Sequence, residues 1–153
     1  MIKGLDRLSS AEVEILVKAP LLVCILVAGA DNEIDRNEIR EAIELAEAEK
    51  TKANLSEFYQ LVAEDFEDKL KIVLQSLPNE SELRTPMLSI ELSRLNLIFP
   101  KIKKPFAQDY YKSLRFIARK IAESSGGLLG LKKIGAEEEK VYTLPMIKDP
   151  SLL

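Results

Sequence analysis

Pro20 to Ala30 form one unbroken apolar run, Pro-Leu-Leu-Val-Cys-Ile-Leu-Val-Ala-Gly-Ala. A helix without a polar face belongs in the middle of a bundle, wrapped on every side. The run is too short to cross a membrane, which takes about 20 residues. Its end, Ala28-Gly29-Ala30, resembles a signal-peptide cleavage site, but Asp6, Glu12 and Glu14 precede it in place of a clean basic stretch. The expectation is therefore a soluble helical fold built around this segment.

The flanking sequence has the same helical character. Leu8-Ser9-Ser10-Ala11-Glu12-Val13 is a capping box, with Ser9 as the cap, Glu12 reciprocating and Leu8 stapling to Val13. The helix it opens is expected to run to about Lys18, with Pro20 starting the next helix or kinking the first. Ile39, Ala42, Ile43 and Ala46 predict a helix, with Arg40 and Glu44 paired outside. After a cap at Asn54, the stripe Leu55, Phe58, Val62, Phe66, Leu70, Val73 and Leu77 predicts one long helix ending before Pro78. Another is expected over Glu80 to Phe99, with a bend at Pro86, followed by a Lys101–Lys104 linker. Pro105 opens a helix with the stripe Phe106, Tyr110, Leu114, Ile117 and Ile121, and Gly126 stops it. Tyr111, beside that stripe, is expected to be exposed. The final helix begins near Ala136 and ends at about Pro145. Alternating strand patterns are missing, so the fold class is all-α: a single domain over 1–153, with a core of about 8–145, a short C-terminal tail and about seven helices.

The chain has no histidine. That removes Ser-His and Cys-His nucleophile systems, imidazole metal ligands and the usual near-neutral proton shuttle. Any metal would sit on oxygen ligands, which favours Ca, Mg or Mn over zinc or copper. A formal net charge of −3 argues against general nucleic-acid binding. The lone cysteine, Cys24, lies inside the apolar run and reads as a buried, inert thiol.

Chemistry concentrates in the turn after the apolar run, Asp31-Asn32-Glu33-Ile34-Asp35. Asp35 and Glu38 form a second capping box, Ile34 and Ile39 its staple, and Asn32 suits a left-handed backbone position. Asp31 and Glu33 have no evident local partner, so they read either as plain turn residues or as cation ligands. The turn is not an EF-hand: with Glu38 as the twelfth ligand, positions one and three fall on Val27 and Gly29, which lack side-chain oxygens. A degenerate second copy, Ile134-Gly135-Ala136-Glu137-Glu138, follows the helix that ends near Ser125. Helix, turn, helix thus occurs twice.

Ala30-Asp31-Asn32-Glu33-Ile34-Asp35 with Glu38, and Ala122-Glu123-Ser124-Ser125-Gly126-Gly127 followed by Ile134 and Glu138, resemble the two half-motifs of the tellurite-resistance TerB-like family. The resemblance runs from about Leu8 to Leu144. It implies a helical bundle with a pseudo-symmetric pair of helix-turn-helix half-motifs, a stress-response role and a divalent cation on Asp31, Glu33, Glu38 and Glu138. The sequence departs from the family's turn at Asn32, where glycine is usual. It departs again in the second copy, where Ser124-Ser125-Gly126-Gly127 and an insert through Lys133 replace an acidic turn.

Ser124–Lys133 lacks the Walker spacing and reads as a helix stop followed by a loop. Lys101, Lys103 and Lys104 read as solvated. The expected function is a non-catalytic cytoplasmic module whose acidic turn binds a divalent cation or a protein partner. The first alternative is an interaction scaffold without metal, docking another protein or a second copy as a homodimer. The second is a carboxylate- and metal-dependent hydrolase. No transmembrane segment, membrane contact or nucleic acid is expected.

Overall fold

Ser9 and Glu12 exchange the two bonds of a capping box: Ser9 N–H donates to Glu12 Oε1 at 3.0 Å, and Glu12 N–H to Ser9 Oγ at 3.2 Å. From this cap, helix α1 runs over Ser10–Ala28. The computed structural model describes residues 5–28, 36–47, 53–126 and 143–152. Further helices are α2 (Arg36–Glu47), α3 (Ala53–Ala63), α4 (Phe66–Gln75), α5 (Ser81–Ser93), the single turn α6 (Leu95–Ile98) and α7 (Lys104–Gly126). Short 3-10 turns lie at Phe99–Lys101 and Pro150–Leu152. The fold is an all-α bundle. Among the described residues, six helices have ten residues or more, one fewer than the seven expected. The helix expected from Ala136 and the two half-motif turns lie outside the described residues.

The apolar run sits where its lack of a polar face requires. Leu21 to Ala28 are each at most 2% exposed, and α1 packs against α7, α5, α3 and α2. Full burial of each large aliphatic side chain stabilises by about 1.5–3 kcal/mol, so this segment contributes substantially to the apolar core of the bundle. The buried side chains form one cluster from Leu5 to Ile147, slightly wider than the expected core.

Helix α1 passes through Pro20 without ending. Proline has no N–H for the carbonyl four residues back, which orphans the Leu16 oxygen in the interior. Tyr110 of α7 fills the gap, its hydroxyl donating to Leu16 O at 2.8 Å. A second bridge continues from it. Ser113 Oγ donates to Tyr110 O at 2.6 Å, which leaves Tyr59 Oη of α3 as the donor to Ser113 Oγ at 2.7 Å. Burial pushes the Tyr59 and Tyr110 hydroxyls upward, so both stay protonated as donors.

The single long helix expected from Leu55 to Leu77 is two helices. Asp65 adopts φ 54, ψ 35 between α3 and α4, a left-handed conformation that Asp tolerates. This turn takes the Asp65 N–H away from the Leu61 carbonyl, and Lys69 Nζ donates to that oxygen instead, at 2.6 Å. Arg40 pairs with Glu67 of α4 rather than with Glu44, and its guanidinium lies 5.7 Å from the centroid of the Phe66 ring. The span expected as one helix to Phe99 is interrupted at Arg94. Pro86 stays inside α5. Tyr111 is buried, not exposed.

Lys101 is not merely solvated. Its Nζ donates to Glu12 Oε2 at 2.7 Å and ties the α6–α7 connection to the α1 cap. The Lys101 hydrogen bond, then the Ser9 amide, hold the Glu12 carboxyl below its ordinary range. A depressed carboxyl contributes stability that is present above its unfolded value and lost as pH falls through the folded one. Glu12→Gln is therefore expected to flatten the acid limb of the stability curve, as thermal melts across pH 2.5–7 would show. Parallel acid limbs for the two proteins would contradict this.

Candidate functional site

Asp31, Glu33 and Glu138 lie outside the described residues, as does the Glu38 side chain, although its backbone belongs to the first turn of α2. Among the described residues, no three Asp, Glu, Cys or His side chains converge on a point that would hold a metal ion. Cys24 is fully buried, and burial pushes its thiol well above the ordinary range, away from thiolate chemistry. Nor does any helix of the described residues have the length and apolarity to cross a membrane.

The most distinctive surface is on α5 and α6. Arg84, Leu88, Leu92 and Leu95 face inward, the spacing of an ordinary buried stripe. A second apolar stripe runs about 120° away around the same axis. It consists of Leu83, Met87, Ile90 and Leu97, which are 56%, 46%, 65% and 74% exposed. Arg94 keeps a right-handed helical backbone, φ −63 and ψ −23, so the stripe carries across the break between the two helices. Charged groups rim it: Glu82 is exposed, and Arg94 Nε lies 3.6 Å from Glu91 Oε2.

Single exposed apolar residues are ordinary, but here four lie in register on one helical face with a polar rim. Sequence reasoning did not single these residues out, because an apolar residue within a helical pattern defaults to core. The available signal was that α5 carries two helical stripes where a surface helix needs one. An apolar recess between α1 and α4 is lined by Val17, Ile72 and Val73 with Glu14, Lys18 and Lys69 at its edges. Its volume of about 290 Å³ is just below the usual range for small-molecule sites.

No family model matches the chain, and no curated protein or solved structure matches it.

Proposed function

We propose that this chain is a non-catalytic helical interaction module that docks a second copy of itself through the exposed stripe of α5 and α6. The observation that carries this is the register of the stripe. Measured from Ile90, Met87 and Leu83 lie three and seven residues before it, and Arg94 and Leu97 four and seven after. The pattern is close to symmetric about Ile90, which suits antiparallel pairing of one patch with its own copy, as in a two-fold interface. An antiparallel pair crossing at Ile90 would set Leu83 against Leu97 of the other copy, and Arg94 within a helical turn of its Glu82. Light scattering over a concentration series tests the proposal. A mass rising toward twice the 17.2 kDa of the chain supports it, and a mass fixed at 17.2 kDa removes it.

A second reading rests on the TerB-like resemblance: a stress-response module in the cytoplasm whose acidic turn, Asp31 and Glu33 with Glu38 and Glu138, holds Ca, Mg or Mn. What supports it is the pair of carboxylates without a local partner in the sequence, together with the all-α bundle that the resemblance implies. Four carboxylates brought together would repel unless a cation compensated them. Calorimetric titration with each ion should give saturable heat that Asp31→Ala abolishes. Heat absent for all three ions, or unchanged in the variant, would end this reading.

A further inference from the structure

Helix α7 carries Lys112, Arg115 and Arg119 at helical spacing, and all three are exposed along one side. The C-terminal segment folds back against this helix. It is held there by Asn96, whose Nδ2 donates to Met146 O at 3.0 Å while its Oδ1 accepts from Lys148 N–H at 2.8 Å. Between helix and segment lies a cleft of about 450 Å³, within the range of small-molecule sites. Tyr111 and Phe116 contribute ring surface to it, and the Arg115 guanidinium lies 5.9 Å from the centroid of the Tyr111 ring.

The cleft is positive on a chain whose net charge is −3. Its one acid, Asp149, caps the closing turn: Oδ1 accepts from Ser151 N–H at 2.9 Å and from Ser151 Oγ–H at 2.7 Å. Those two bonds, with Arg115 and Lys112 adding to them, hold the Asp149 carboxyl below its ordinary range. Arg119 Nε pairs with Glu123 Oε1 at 2.9 Å, an exposed contact of little energetic weight. Among the described residues, no acid lies within ion-pair distance of Lys112 or Arg115. Counting Glu123 with Asp149, three cations face two carboxylates, and the remaining positive excess favours an anionic head such as that of a phosphomonoester, which carries about −1.5 to −2 charge at neutral pH. Arginine adds a planar fork suited to two phosphate oxygens at once. The ring surface beside it suits an apolar or aromatic body.

We propose that the cleft between α7 and the C-terminal segment binds a small phosphomonoester with an aromatic or apolar body. Calorimetric titration of the full chain at low salt, with phenyl phosphate and inorganic phosphate as probes, tests this. Phenyl phosphate is expected to bind more tightly than inorganic phosphate. The double variant Lys112→Ala, Arg115→Ala should weaken it by about tenfold or more. Arg115→Lys, which keeps the charge and loses the fork, should weaken it by a smaller, measurable factor. Both positions are exposed, so circular dichroism should show unchanged helix content. Absence of phenyl phosphate binding in the millimolar range, equal affinity for inorganic phosphate, or undiminished binding by the folded double variant would each overturn the proposal.

Discussion

Phe58→Ala should lower the unfolding free energy by about 3–5 kcal/mol, at the upper end of what a single core truncation costs. Phe58 is fully buried, and three rings meet it edge-on: Tyr59 at 5.3 Å, Tyr110 at 5.4 Å and Phe106 at 6.2 Å between centroids. Truncation removes its apolar burial, leaves a cavity and cancels ring contacts worth about 0.5–1.5 kcal/mol per pair beyond area. The surrounding groups come from α3 and α7, which also carry the buried hydroxyl bridges, so collapse into the cavity is restricted. A domain of this size has about 5–15 kcal/mol of stability, so the variant would stand near its limit. Chemical denaturation of the two proteins checks the value. A loss no larger than that of Ile72→Ala, at a site 66% exposed, would show that the aromatic cluster is not central.

The second large effect concerns the proline in α1. Tyr110→Phe keeps the ring and removes the hydroxyl that reaches Leu16 O. The carbonyl is then buried without a partner, at a penalty of about 1–3 kcal/mol. Pro20→Ala would put an N–H back where the helix needs one. The same Tyr110→Phe change should therefore cost less in a Pro20→Ala background, since the helix itself then satisfies Leu16 O. A double-mutant cycle by denaturation measures the coupling. Strict additivity of the two changes would show that the tyrosine does not substitute for the missing amide.

These two cases also show what could be read from the sequence. The Ser9–Glu12 box and the α7 stripe were legible because each is set by residues three or four apart, within one helix. Continuity of α1 was not, because the group that makes Pro20 tolerable lies 94 residues away from the carbonyl it satisfies. The break at Asp65 was hidden because Val62, Phe66 and Leu70 keep helical spacing across it, although the backbone turns left-handed between them. Lys101 read as solvated because its acid, Glu12, is 89 residues distant. Of the candidate site, the sequence offered Asp31, Glu33, Glu38 and Glu138, none of whose side chains is among the described residues. The Leu83–Leu97 face became apparent only when neighbouring helices were seen to cover one stripe of α5 and leave the other open.

The interaction-module account can be tested at one atom pair. Cys24 is the only cysteine of the chain and is buried, so Ile90→Cys would create a single reactive thiol at the centre of the proposed two-fold contact. Two helices crossing antiparallel at that position bring the thiols within reach of a disulfide, which needs Cα atoms about 4.4–6.8 Å apart. Under mild oxidation, Ile90→Cys should form a covalent dimer much faster than Gln60→Cys, an exposed control site on α3. Equal and slow cross-linking at both positions would contradict the account.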